Sequence, residues 1–350
     1  MDKWLLSPLE GQLSASFMTK YLGQISSLGF EPPADVSRTY GIGPLIPNKR
    51  RRAGIYLLVL SDGLFYIGRA KDVVRRFGAH RRTFGERLIG FSYQVVAESN
   101  QPEVERTLIQ RGEHAGLPLR QTEWTSQRHD EADLDALFTA QELTAWGEDP
   151  VGHLAEDAWP LPVGTAGRQA LDQEKFRQLL AYRVSSDVQR LLATYVQHCV
   201  PFPRRTAPGY WNVACLPSTN RSTAPRFACV SAHVMETFVV GHQYGDPQNV
   251  WSFVVAAKTP LEAAYGTLAK AQRALRGVEI VDDGRYKSAG YDQCQIFMDD
   301  LATAERVLAQ PVIQKAARQL MFHVMRKGVN RYARFHCTAL AEAILRPLGG

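Results

Sequence analysis

The chain has 350 residues, 45% of them hydrophobic, and a net charge of +6 at pH 7, which is the size and composition of two or three packed globular domains. No apolar run reaches the length of about eighteen residues that a membrane-spanning helix needs. The first residues lack the basic and apolar regions of a signal peptide, and the five cysteines form no Cys-x-x-Cys pair, which argues against a disulfide framework or a zinc ribbon. We therefore expect a cytoplasmic protein with reduced thiols and no membrane partner.

Charge is unevenly distributed along the chain. Residues 49–120 contain 14 Lys/Arg and 7 Asp/Glu, and residues 201–350 contain 18 and 11, so each block has a net charge of +7. Residues 121–200 contain 6 and 13, a net charge of −7, and residues 1–48 contain 3 and 4, a net charge of −1. Basic blocks favour polyanionic partners such as nucleic acid, although the same charges also fit a solvated surface.

The N-terminal third contains the clearest local signals. Residues 1–48 show a partial helical stripe and predict a helical or loose segment. Two apolar runs, 54–60 and 64–68, are separated by Ser61-Asp62-Gly63 and predict a β-hairpin. An amphipathic helix is predicted from near Lys71, a third strand at 91–97 and a second helix at about 100–115. These elements predict one small compact domain over residues 49–121.

The remaining residues predict two further segments. Residues 122–200 are predicted as an acidic helical connector, with one long helix at 173–198. Residues 201–350 predict a separate α+β domain for target recognition, dimerisation or both. Its strands are predicted at 210–216, 226–231, 236–240, 250–256 and 277–281, and its helices at 259–275, at 299–309, at 311–325 and near the C-terminus. The predicted fold class of the whole chain is therefore α+β.

The first helix is amphipathic and rich in basic residues. At about 100° per residue, and with the projection extended back to Arg69, the side chains of Arg69, Arg76 and His80 fall along one margin of the apolar face. The helix therefore combines a partly buried polar row with a solvated basic face. The outward residues are Lys71, Arg75 and Arg82.

A glutamate falls inside the apolar stripe of the second helix. The same projection places Glu105 between the directions of Leu108 and Ile109, whereas Glu103 points away. A carboxylate aimed into a core is costly unless it is paired or binds a cation. Two interpretations of Glu105 stay open at this point: an ion pair with an arginine of the first helix, or a catalytic or metal-binding role.

Two tripeptides in the hairpin, Gly54-Ile55-Tyr56 and Tyr66-Ile67-Gly68, make this stretch similar to the GIY-YIG nuclease family, whose name spells them. An arginine eight residues after the second tripeptide (Arg76), a histidine four residues later (His80) and a Glu-x-x-Leu-Ile sequence from Glu105 also match. The resemblance covers about residues 52–121. It implies a small core with a three-stranded, mainly antiparallel sheet flanked by helices.

The resemblance also implies roles for individual residues. Glu105 would bind one divalent ion, Mg²⁺ or Mn²⁺, per active site, and Arg76 would stabilise the transition state. Tyr56, with help from His80, would activate the attacking water, and Tyr66 would line the site and contact the phosphate. The family often has Pro-x-x-Asn near the end of the core. The chain departs from this pattern, because Gln121 stands at the place of that asparagine. Gln121 is the matching candidate for the catalytic set that the resemblance implies, since its amide can make the same hydrogen bonds with a longer side chain.

The C-terminal domain adds basic residues interleaved with aromatic ones at 326–336, a composition that suits phosphate contacts and base stacking. An ordinary amphipathic helix would have the same pattern. We predict nucleic-acid contacts from basic residues of both domains, which are Arg69, Lys71, Arg75, Arg81, Arg82, Arg331 and Arg334.

The sequence thus predicts a metal-dependent DNA endonuclease, of a sequence-specific restriction or defence type, that acts on double-stranded DNA. RNA as the substrate stays open, and a homodimer is expected if both strands of a palindromic site are cut. Two alternatives come from other functional classes. One is a non-catalytic nucleic-acid-binding protein on the same fold, and the other is a nuclease toxin or effector whose C-terminal domain binds a protein.

Overall fold

A computed structural model describes residues 15–152, 159–162 and 164–346. The chain divides into two compact units, Met1–Asp130 and Glu131–Gly350, which we call unit 1 and unit 2. Both combine helices with an antiparallel sheet, so the predicted α+β class is confirmed. No helix among the described residues is long and apolar enough to cross a membrane. The signal-peptide expectation concerns residues that lie outside the described ranges.

Unit 1 contains a four-stranded sheet in the order β1-β4-β2-β3, with every neighbouring pair antiparallel. The predicted three strands are present, and a two-residue edge strand joins them. The elements in chain order are α1 (Ala15–Ser27), β1 (Ala34–Asp35), β2 (Gly54–Leu60), β3 (Phe65–Ala70), α2 (Val73–Phe84), β4 (Leu88–Val95) and α3 (Gln101–His114).

Both faces of this sheet are covered, which explains why β2 is a continuous apolar run rather than an alternating one. All seven residues of β2 are buried. Ile55, Leu57 and Val59 pack in one cluster with residues of α1 and α3. Tyr56 and Leu58 pack in a second cluster with residues of α2. Because α1 contributes to the first cluster, part of the segment predicted at 1–48 belongs to the core of unit 1.

Helix α2 begins two residues later than the sequence predicts. The Asp72 carboxylate accepts hydrogen bonds from the backbone N–H groups of Val74 and Arg75, at 2.9 and 3.1 Å, and so caps the first turn. Arg69 therefore lies in strand β3. The helical projection that aligned Arg69 with Arg76 and His80 is wrong for Arg69.

Arg81 is bound to the backbone of its own unit. Its guanidinium donates to the carbonyl oxygens of Gly85 and Leu88, at 2.9 and 2.8 Å, and to that of Val36. These bonds connect α2 to the start of β4 and to the residue that follows β1. Arg81, which the sequence predicts to contact nucleic acid, thus has a structural role in unit 1.

Unit 2 is built around a six-stranded antiparallel sheet in the order β5-β6-β7-β8-β10-β9. Its strands are β5 (Trp211–Cys215), β6 (Arg226–Ala232), β7 (Met235–Gln243), β8 (Asp246–Ala256), β9 (Val278–Val281) and β10 (Cys294–Met298). Its helices are α4 (Ala140–Glu148), α5 (Ala166–Leu180), α6 (Ser185–Cys199), α7 (Pro203–Thr206), α8 (Lys258–Tyr265), α9 (Leu268–Leu275), α10 (Leu301–Leu308), α11 (Pro311–Arg326) and α12 (Thr338–Ile344).

The structure differs from the sequence prediction at several elements of unit 2. The helix predicted at 173–198 is two helices, α5 and α6, and the one predicted at 259–275 is also two, because Gly266 ends α8 with a φ of +85°. Strand β10 was not predicted. The basic and aromatic stretch after α11 is a loop with one short 3₁₀ turn, Ala333–Phe335, rather than the amphipathic helix held open as an alternative.

The acidic segment predicted as a connector shares the core of unit 2. Leu134, Leu179 and Leu191 belong to the same buried cluster as Trp211 and Phe227 of the sheet. The four predicted segments therefore group into two compact units, with one boundary between residues 130 and 131.

We predict that Arg81→Met destabilises the protein by about 1–3 kcal/mol, because three carbonyl oxygens, two of them in partly buried hydrogen bonds, lose a charged donor. The neighbouring variant Arg82→Met should change stability by less than about 0.5 kcal/mol, because Arg82 is exposed. Urea unfolding of both variants measures the difference. Equal stability of the two variants would contradict the structural role of Arg81.

Candidate active site

The centre of the site is the hydroxyl group of Tyr56, on strand β2. Its oxygen lies 2.7 Å from His80 Nε2 and accepts a hydrogen bond from Arg76 Nε at 3.3 Å. A guanidinium can only donate, so the Tyr56 proton is available for His80. The consistent arrangement is a Tyr56 O–H that donates to Nε2 of a histidine protonated at Nδ1.

The charge states of these groups follow from their burial. Burial, followed by the neighbouring Arg76 charge, lowers the pKa of His80 from 6.5 to about 4. Burial is also the largest cause that raises the pKa of Tyr56 above its ordinary value; Tyr66 adds to this effect and Arg76 opposes it. At neutral pH the pair is therefore an uncharged tyrosine beside an uncharged imidazole, and the imidazole nitrogen is able to accept a proton.

Aromatic rings enclose this pair. The ring centroid of Tyr66 lies 5.1 Å from that of His80 and 6.2 Å from that of Tyr56. His80 also stacks on Phe84, with centroids 5.6 Å apart and planes 4° from parallel. The rings hold the imidazole in place and exclude water from it, which explains why its pKa is low.

The glycines of the two tripeptides are required by close approaches. Gly68 faces Tyr56 across the hairpin, and a Cβ at position 68 would lie 2.5 Å from the Tyr56 hydroxyl oxygen. A Cβ at Gly54 would lie 2.1 Å from the carbonyl oxygen of Gln94 on β4. Any larger residue at Gly68 would displace the tyrosine side chain that the site depends on.

Glu105 on α3 forms the other side of the site. Its side chain is 18% exposed, and Oε2 accepts a hydrogen bond from Arg69 Nε at 2.9 Å. Of the two interpretations left open by the sequence, an ion pair is present, but its arginine comes from β3 rather than from the first helix. Burial raises the pKa of Glu105; Arg69 opposes this effect and Glu123 adds to it. The arginine thus offsets only part of the desolvation of the carboxylate.

The side chain of Gln121 is bound to the backbone of β3. Its Nε2 donates to the carbonyl oxygen of Ile67 at 3.0 Å, and its Oε1 accepts from the N–H of Ile67 at 3.3 Å. Strand β3 is the last strand in the sheet order, so this amide satisfies one residue of its outer edge. The Gln121 side chain thus stabilises the edge of the strand that contains Tyr66-Ile67-Gly68. This backbone contact differs from the catalytic role that the resemblance implies for Gln121.

One open cleft of about 590 Å³ is lined by Tyr56, Tyr66, Arg76 and Glu105. His80 lies behind Tyr56 and is buried. Sequence reasoning missed Glu123, which also lines the cleft. No periodic pattern could have indicated this residue, because it lies in the irregular segment after α3.

The predicted nucleic-acid contacts of unit 1 divide into two groups. Arg75 and Arg82 are exposed on α2. Arg69 is paired with Glu105, and Lys71 Nζ lies 2.8 Å from Glu98 Oε2 with a side chain that is 82% exposed.

In unit 2, Arg331 and Arg334 are exposed, and Arg334 lies over the ring of Phe335. Arg75, Arg82, Arg331 and Arg334 are thus exposed where they could meet a polyanion.

The oxygen groups of the cleft suit a hard divalent ion. Glu105 is a desolvated carboxylate that Arg69 balances only in part, Glu123 lies in the same cleft, and Mg²⁺ and Mn²⁺ prefer oxygen ligands with several waters retained. In the described ranges no group of three or more His, Cys, Asp or Glu residues is placed to hold a metal ion. An ion bound here would therefore depend on one or two carboxylates and on oxygens of the substrate.

Comparisons of the chain with protein-family models, with curated proteins and with solved structures found no match.

We predict opposite effects of alanine at two glycines of unit 1. Gly68→Ala should cost about 1–3 kcal/mol, because the new methyl group overlaps Tyr56. Gly78→Ala, on α2, should be neutral or stabilise by up to about 1 kcal/mol, because a Cβ there meets only the flexible end of Arg82 at 4.0 Å. Urea unfolding of both variants tests this, and a harmless Gly68→Ala would contradict the packing described.

The low pKa of His80 predicts a pH-dependent stability. The unfolded chain binds a proton at this residue below about pH 6.5, and the folded protein only below about pH 4. The contribution is therefore complete above pH 6.5 and is lost as the pH falls toward 4, by up to about 3 kcal/mol. Unfolding measured at pH 7 and pH 4.5 should show a smaller pH effect in His80→Gln than in the wild type. Identical pH effects would contradict the buried neutral state.

Proposed function

We propose that unit 1 is a metal-dependent endonuclease of the GIY-YIG type that hydrolyses phosphodiester bonds in DNA. One observation carries the proposal: the Tyr56 hydroxyl contacts both His80 and Arg76 in a cleft that Glu105 also lines. A proton acceptor, a cation and a desolvated carboxylate are the groups that phosphodiester hydrolysis needs. A purely structural role gives no reason to place them in one open cleft.

Proton transfer is the first part of the proposed mechanism. As a water molecule attacks phosphorus, the Tyr56 oxygen takes a proton from that water, and the tyrosine's own proton passes to His80 Nε2. A new phosphorus–oxygen bond forms, and the bond to the leaving sugar oxygen breaks. That oxygen takes a proton from solvent, and His80 later returns its extra proton through Tyr56. The neutral state of His80 at pH 7 makes it available as the acceptor.

Charge stabilisation is the second part. Arg76 lies beside the Tyr56 oxygen, so its guanidinium is close to the charge that develops on the phosphate. Glu105 would hold the divalent ion, which, when bound, supplies Lewis-acid stabilisation of the phosphate and of the leaving oxygen. Arg69 fixes the Glu105 carboxylate in one orientation through the Nε–Oε2 bond. Tyr66 contacts the phosphate from the wall of the cleft.

The basic residues of unit 1 support a nucleic-acid substrate. Arg75 and Arg82 are exposed on the helix that carries Arg76 and His80, and residues 49–120 have twice as many basic as acidic side chains. Such a surface attracts a phosphate backbone without regard to sequence. We propose double-stranded DNA as the substrate and target recognition or dimerisation as the role of unit 2, as in a restriction or defence nuclease.

The proposal is tested by incubating plasmid and phage DNA with Mg²⁺ and the wild type, Glu105→Ala or Glu103→Ala. Both glutamates belong to α3, but Glu103 is exposed and does not line the cleft. We expect cleavage by the wild type and Glu103→Ala and none by Glu105→Ala. Discrete fragments would support sequence specificity, and a smear would refute it. Binding of DNA without any cleavage by the wild type would instead identify a nucleic-acid-binding protein, and cleavage of RNA alone would reassign the substrate.

Tyr56→Phe should reduce the cleavage rate by about 10²–10⁴-fold, the range for loss of a general base. Phenylalanine keeps the ring contacts with Tyr66 and His80 but removes the proton relay. Single-turnover kinetics measures the effect, with DNA affinity as the control that should change by less than about threefold. A Tyr56→Phe enzyme with wild-type kinetics would refute the relay.

A further inference from the structure

Unit 2 contains a pocket of about 260 Å³ on one face of its sheet, roofed by α5 and by the loop after α11. Three polar residues form a row across neighbouring strands at its floor. Asn212 on β5 lies opposite Ser231 on β6, and Ser231 lies opposite Glu236 on β7. Asn212 and Ser231 are buried. A polar row where a sheet normally packs apolar residues is costly unless it has partners.

An arginine in this pocket is only partly satisfied. Arg226 is 8% exposed and donates through Nη1 to Glu236 Oε1. Its Nε has no hydrogen-bond partner among the described residues. A buried guanidinium with an unpaired donor costs free energy.

The rim of the pocket differs from its floor. Tyr332 and Phe335 line it and are 37% and 43% exposed, although large aromatic side chains usually bury more of their surface. Lys175 and Arg168 of α5 also line the pocket. Arg168 Nη2 forms an ion pair with Oδ1 of Asp172, which also lines the pocket, at 3.0 Å. The ligand thus meets the donors and acceptors of the polar row, the aromatic rings of Tyr332 and Phe335, and the ammonium group of Lys175.

The volume limits the size of the ligand. About 260 Å³ is below the range of about 300–1,000 Å³ that drug-sized ligands occupy, so one ring system with its immediate substituent fits. Hydrogen bonds to the edge of a flat base, together with stacking on aromatic side chains, are the contacts that bind single unstacked nucleobases. The paired Arg226 and Glu236 offer a donor beside an acceptor, as the edge of a base requires.

We propose that this pocket binds one nucleobase, with the attached phosphate at Lys175. The choice of a nucleobase over other polar rings rests on the proposed action on DNA. The base has two possible sources, a free nucleotide or a nucleotide turned out of bound DNA. In the second case unit 2 recognises its target by extracting a base.

The test uses the full-length protein in EDTA, so that no DNA is cut. Ala214→Phe places a large side chain in the pocket, because Ala214 lines it on β5. Ala263→Phe adds the same bulk at an exposed position of α8 and is the matched control. Arg226→Lys is the second variant, since it keeps the charge beside Glu236 but removes the guanidinium edge.

Two arms distinguish the two sources. In the first, calorimetry measures binding of the four deoxynucleoside monophosphates. In the second, competition compares a short duplex with the same duplex carrying one mismatched pair, which costs less to open. A free-nucleotide site predicts saturable binding in the first arm. Extraction of a base predicts that the mismatched duplex binds about tenfold more tightly in the second arm, a difference of about 1.4 kcal/mol. Either preference should be lost in Ala214→Phe, weakened in Arg226→Lys and kept in Ala263→Phe.

The proposal is overturned if neither arm shows binding, or if Ala214→Phe binds as the wild type does. It is separable from the nuclease proposal. Loss of cleavage with base binding intact would refute only the nuclease, and cleavage without base binding would refute only the pocket.

Discussion

The structure of unit 1 depends on the close approach between the Tyr56 side chain and the backbone at Gly68. The hairpin register places the tyrosine opposite this glycine, and no Cβ fits between them. With that space kept free, the hydroxyl group reaches Nε2 of His80 and Nε of Arg76, both of which α2 carries at one helical spacing. A short turn, two strands and the first turns of a helix are thus enough to bring three reactive groups together.

Burial determines the chemistry of these groups. The sheet face and the rings of Tyr66 and Phe84 exclude water from His80, so the imidazole is neutral over most of the pH range in which the protein would work. The same exclusion raises the pKa of Glu105 beyond what Arg69 offsets. Burial thus lowers the pKa of the imidazole and raises that of the carboxylate, because in both cases it disfavours the charged form. Shifted pKa values of neighbouring titratable groups are common at functional sites.

Unit 2 places polar groups where a sheet normally has apolar ones. Arg226, Glu236, Ser231 and Asn212 meet above β5, β6 and β7, at a cost in desolvation that the rest of a large apolar core must offset. Cys215, Cys229 and Cys337 belong to that core and also line the pocket, so the polar groups lie directly against the core. Under the two proposals, unit 2 would select the ligand or target and unit 1 would carry out the chemistry.

The hairpin, helices α2 and α3 and the residue types of the site could all be predicted from the sequence. Its local signals are strong: a turn of Ser61-Asp62-Gly63, two apolar runs, and a glutamate within an apolar stripe. They do not depend on distant parts of the chain. Element ends were less certain, because caps such as Asp72 decide them, and Arg69 was consequently placed on a helix instead of a strand.

The partners of these residues could not be predicted from the sequence and are seen only in the folded structure. Arg69 rather than an arginine of the first helix pairs with Glu105, Arg81 binds backbone carbonyls, and Gln121 satisfies the edge of β3. Each contact joins residues that are separated in sequence or belong to irregular segments, where no period exists to predict a direction. The pocket of unit 2 could not be predicted from the sequence for the same reason. Its polar row crosses three strands, and only the strand register places Asn212, Ser231 and Glu236 side by side.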